Sequence, residues 1–145
     1  METKIKKDWY DREKSTEELH QDAKLWISEI YFIADEIRFL EHLLSYKYID
    51  CLASGLGKKI ETSVKKISEE KKTGQLLLKQ VLKQEGILSN LIKNNSVNSN
   101  TNFLENYKKI AHEVNNYEKK YKRLKKQIFE IVENVMKKIA QKKLI

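Results

Sequence analysis

Leu19, Ala23, Trp26, Ile30, Ile33, Ile37, Leu40 and Leu44 follow one another in alternating steps of four and three residues. That spacing lines them along one side of a helix and predicts a heptad seam on a single long element. Ser15 followed by Glu18 fits a capping box, which starts the helix at residue 15. A competing start lies near Lys4, because Ile5 and Trp9 extend the same phase and would let Trp9 cover one end of a bundle. At the other end Gly55 is placed to turn left-handed beyond residue 54, with Leu56 folding back. The connection is short, so the next helix returns antiparallel.

The second helix is expected over 58–94. Ile60, Val64 and Ile67 open its stripe, and Leu78, Val81, Leu88 and Ile92 continue in phase, with Lys71 and Gly74 between them. Phase continuity argues for one helix with a weak middle; a break near Gly74, giving four segments, is the competing reading. Asn94 to Asn102 reads as a loop, since asparagine and serine side chains compete with helical hydrogen bonds. The third helix, 102–143, carries its seam on Phe103, Tyr107, Ile110, Val114, Tyr117 and Tyr121, then Leu124, Ile128, Ile131 and Val135. Ile139 and Leu144 drift off this register, which predicts fraying or another contact for the last turns. Three helices of ~55–65 Å with short connections make an all-α, antiparallel up-down-up bundle with coiled-coil packing. Residues 1–14 form a polar N-terminal segment, and 15–145 a single domain.

Composition agrees. The 145 residues include no proline and four glycines, and 34% are charged. The net charge of +8 is unevenly placed. Residues 1–50 hold 8 basic and 12 acidic side chains, residues 51–100 hold 9 and 4, and residues 101–145 hold 12 and 5. An acidic first helix beside two basic ones predicts interhelical pairing, with the excess left as a basic surface. One cysteine, Cys51, and no apolar segment near the N-terminus lead to the expectation of a cytoplasmic protein. The longest apolar run, Ile30 to Ala34, is too short for membrane insertion.

Three features bear on function. Leu25, Phe32, Phe39 and Tyr46 recur every seven residues away from the main seam, a candidate partner or homo-oligomer interface. The competing reading packs this line on the second or third helix, with the neighbouring Asp22, Glu29 and Glu36 paired to lysines. Folding the helices back on one another places Glu36, Lys71 and Tyr121 at one level, which predicts a mid-bundle polar layer. In that layer Gly74 makes room for a bulky aromatic and Lys71 neutralises Glu36. Lys119, Lys120, Lys122, Arg123, Lys125 and Lys126 form a basic row able to neutralise phosphates, although no exposed aromatics are interleaved for base stacking.

Patterns for other chemistry are missing. Glu17 and His20 make one Glu-x-x-His spacing with no second pair, so no metal is expected. No nucleophile, base and orienting group come together, so no catalytic residue or cofactor is assigned, and Cys51 near a helix C-terminus is a poor thiolate. The sequence therefore reads as a non-enzymatic interaction or scaffold protein that binds a protein partner or itself. The alternative is a nucleic-acid-associated protein acting through the lysine-rich face of the third helix.

Overall fold

The computed structural model describes the backbone of residues 14–94 and 101–144, and side chains over 14–94 and 102–141. Three helices account for it: α1 (Thr16–Ala53), α2 (Gly57–Lys93) and α3 (Thr101–Leu144). Each packs on the other two, and the described residues contain no strand. Ile5 and Trp9, the loop residues 95–100 and the side chain of Leu144 lie outside the described residues.

α1 begins where its cap allows. Ser15 Oγ accepts from the Glu18 N–H at 3.2 Å, and the Glu18 carboxylate accepts from the Ser15 N–H at 3.4 Å. Two otherwise unpaired donors of the first turn are thereby satisfied. It ends in a Schellman closure. Gly55 sits at φ +78°, its N–H donates to Leu52 O at 3.2 Å, and the Leu56 N–H donates to Cys51 O at 2.9 Å. Gly57 immediately opens α2, so the chain reverses in three residues.

Interhelical pairs record the topology. Tyr107 to Asp22 and Tyr121 to Glu36 both span 85 residues, which fixes α3 parallel to α1. Lys71 meets Glu41, and His20 meets Glu85, as only an antiparallel α1–α2 pair permits. The core runs the length of the bundle, with Trp26 joining the main cluster to the end cluster of Leu19, Leu88, Phe103 and Tyr107.

α2 is continuous through Gly74, but its seam differs from the expected stripe. The buried line is Ile60, Ser63, Ile67, Glu70, Gly74, Leu77, Val81, Gln84 and Leu88, an unbroken alternation of three and four. Val64, Lys71 and Ile92, read from sequence as in phase, are exposed along its border. In α3 the expected seam holds to Ile128 and then shifts. Val132 rather than Ile131 is buried, and Val135 and Ile139 continue from it. Two successive steps of four, from Leu124 to Ile128 to Val132, followed by a step of three to Val135, make an eleven-residue repeat that returns Ile139 to the core. The predicted drift of Ile139 is thus a change of register, with the residue still packed.

Candidate interaction surface on α1

With its seam buried between α2 and α3, α1 retains a second apolar face. Leu25, Phe32, Phe39 and Tyr46 are exposed at 55, 62, 58 and 83%. None of them belongs to the buried core, although Phe32 borders α3 at one edge. Tyr31, Ile49 and Leu52 are exposed beside them and extend the face toward the α1–α2 turn. Lys24, Asp35 and Arg38 lie on this face, the last two paired one turn apart, and Lys47 Nζ sits 5.7 Å from the ring centroid of Tyr46.

One edge of this face is set by the carboxylates. Asp22 accepts from the Tyr107 hydroxyl and from Lys14 Nζ, the latter at 2.6 Å. The ring of Tyr107 is tilted against Trp26, with centroids 5.0 Å apart. Two heptads on, Glu36 accepts from the Tyr121 hydroxyl at 2.8 Å and from Lys125 Nζ at 2.8 Å. Burial disfavours the Glu36 carboxylate, but the bonds from Lys125 and Tyr121 outweigh it and hold its pKa below the usual range. Burial, then the bond to Glu36, pushes the Tyr121 phenol up, so it stays a donor. A groove of about 380 Å³ between α1 and α3 runs along this edge, lined by Phe32, Glu36, Tyr121 and Lys125 among others.

The structure brings Glu36 and Tyr121 together as the sequence suggests, but it does not bring Lys71. Lys71 lies at the α1–α2 border, 3.3 Å from Glu41, and Lys125 of α3 neutralises Glu36 instead. The aromatic accommodated by Gly74 is Tyr117, not Tyr121. Next to it Glu70 is only 2% exposed and meets Lys120 at 3.6 Å. Glu70 Oε2 and the Tyr117 hydroxyl form no hydrogen bond with any described residue. Burial raises the Glu70 pKa despite Lys120, and burial followed by the charge on Glu70 pushes Tyr117 up to about 12.

This second polar layer was hidden because Ser63, Glu70 and Gln84 occupy seam positions normally apolar. The bordering line of Val64, Leu78 and Ile92 is the more hydrophobic of the two. The readable signal was the seven-residue file Ile60, Ile67, Gly74, Val81 and Leu88.

The basic row on α3 is divided. Lys120 pairs with Glu70 and Lys125 with Glu36, while Lys119, Lys122, Arg123 and Lys126 are exposed without an ion pair among the described residues. Burial raises the pKa of the fully enclosed Cys51 thiol, with Asp50 adding to the effect. Among the described residues no group of three or more His, Cys, Asp or Glu is arranged to hold a metal ion. No described helix is long and apolar enough to cross a membrane. The chain matches no protein-family model, no curated protein and no solved structure.

Proposed function

We propose that this chain is a non-enzymatic interaction or scaffold module whose contact surface is the outer face of α1. The supporting observation is an apolar line of seven-residue period left in solvent on a helix whose seam is already filled. Tyr31, Phe32, Phe39 and Tyr46 alone expose roughly 500 Å² of aromatic surface at ~200 Å² per side chain. With Leu25, Ile49 and Leu52 the patch exceeds the ~300–600 Å² that is usual for the largest patch on a monomer.

A photoreactive phenylalanine analogue in place of Phe39, compared with one at the exposed Lys79 of α2, tests this reading in cells. A discrete protein adduct at position 39 alone is expected. Equal adducts at both positions, or none at 39, would remove the reading. The rival phosphate-binding reading draws on Lys119, Lys122, Arg123 and Lys126, the members of the α3 row without an ion pair among the described residues. It requires that charge reversal at Lys122, Arg123 and Lys126 abolish salt-sensitive polyanion binding.

A further inference from the structure

We infer that the occupant of this face is a second copy of the chain, docked α1 on α1, antiparallel, about a two-fold axis near Ile37. The inference rests on the interaction reading above and names the partner.

Spacing points to a second copy first. Leu25, Phe32, Phe39 and Tyr46 alternate along the outer face with Ser28, Asp35, His42 and Ile49, in steps of three and four. This is a second heptad seam, turned outward. An antiparallel pairing in which facing residue numbers add to 74 sets every large side chain against a member of the other line. Leu25 then meets Ile49 of the other copy, Tyr46 meets Ser28, Phe32 meets His42 and Phe39 meets Asp35. Rings enter the spaces above small or polar residues, as interdigitation requires, and one register satisfies all four layers together. The contact is self-complementary and closes at two copies.

Charge supplies the second argument. Copies carrying +8 each repel, and the outward faces of α2 and α3 hold most of the lysines. The α1 face carries few charges: Lys24, Lys47 and the paired Asp35 and Arg38. Near the axis each Arg38 comes within reach of Asp35 of the other copy, so the pair now closed within one chain is shared between two. A parallel pairing instead stacks Arg38 on Arg38 and Asp35 on Asp35. At the rim Glu36 is neutralised by Lys125 and Asp22 by Lys14, which leaves Glu29 as the remaining charge of each acidic edge.

The exposed area also suits a dimer. Roughly 500 Å² of aromatic surface plus three aliphatic side chains approaches the ~800 Å² per partner of a standard stable interface.

The test is pulsed dipolar spectroscopy on the purified full chain, nitroxide-labelled at Lys24→Cys or at Ser45→Cys, with the mass measured by light scattering on the same samples. Both positions are exposed at the rim, and the buried Cys51 takes no label. At 1.5 Å per residue the proposed register separates the labels by about 40 Å at position 24 and about 25 Å at position 45. Those two distances in a species of twice the chain mass are the expected result. Equal short distances of about 10–15 Å at both sites, the signature of a parallel pair, would overturn the inference. So would a monomer without dipolar coupling. In that last case an adduct to a different protein at position 39 would leave the interaction reading standing, and the absence of any adduct would remove both.

Discussion

Gly74→Ala isolates the tightest point of the bundle. A Cβ on residue 74 would overlap the Tyr117 hydroxyl and lie 3.1 Å from its Cζ. Tyr117 is 3% exposed, so its rigid ring cannot swing into solvent to make room. Alanine in a helix interior is favoured over glycine by about 1 kcal/mol, whereas overpacking a filled core costs about 1–3 kcal/mol. The clash with a buried ring wins, and a net loss of about 1 kcal/mol is expected. Gly86 is the control. It also lies inside α2, but an added Cβ there meets nothing within 4 Å, so Gly86→Ala should stabilise by close to the full ~1 kcal/mol. Tyr117→Phe should be nearly neutral alone, because the hydroxyl it removes is buried without a hydrogen bond. In that background Gly74→Ala should lose most of its cost, a coupling of about 1 kcal/mol or more in a double-mutant cycle. Urea unfolding followed by circular dichroism at 222 nm measures all four variants. Stabilisation by Gly74→Ala equal to that of Gly86→Ala, or a cost unchanged by Tyr117→Phe, would refute the reasoning.

The two mid-bundle glutamates should show opposite pH signatures in urea midpoints measured from pH 3 to 7. The folded pKa of Glu70 is raised, so its contribution is complete below its unfolded value of about 4.5 and is lost as pH rises through the folded value. Glu70→Gln should therefore be more stable than wild type at pH 7, with the gain closing in acid. The folded pKa of Glu36 is lowered, so its stability is present above about 4.5 and disappears as pH falls through the folded value. Glu36→Gln should be less stable at pH 7 by about 1 kcal/mol, with the loss narrowing at low pH. Gly55→Ala should cost about 1 kcal/mol in thermal unfolding, because residue 55 sits at positive φ. Phe32→Ser with Phe39→Ser should keep the helical signal and melt within about 1 kcal/mol of wild type at dilutions where the dimer has dissociated, because both rings are exposed within one chain.

How much of this was legible depended on how consistently each helix used its seam. α1 was readable throughout, since local cap, apolar period and left-handed stop all agree at Ser15, Leu19–Leu44 and Gly55. α3 was readable to Ile128, beyond which apolar residues at both 131 and 132 left two registers open until packing chose Val132. α2 was misread by one position on the helix face. Ser63, Glu70 and Gln84 lie in the core while Val64 and Ile92 lie outside it, so hydrophobicity pointed to the wrong line. Tertiary pairing explains the inversion in part: Glu70 is held by Lys120 of α3. Lys71 was expected to neutralise Glu36 but meets Glu41 across the α1–α2 border. The aromatic line of α1 was visible as a spacing, yet only the packing of α2 and α3 on the opposite side reveals that it remains uncovered.

The central claim is that this uncovered line pairs two copies of the chain by apolar contact, and light scattering after size exclusion, at low salt and at about 0.5 M salt, tests it most directly. Wild type should be a dimer in both buffers, and the chain with serine at positions 32 and 39 a folded monomer. A wild-type monomer at high salt, or a dimer that survives the double substitution, would contradict the claim.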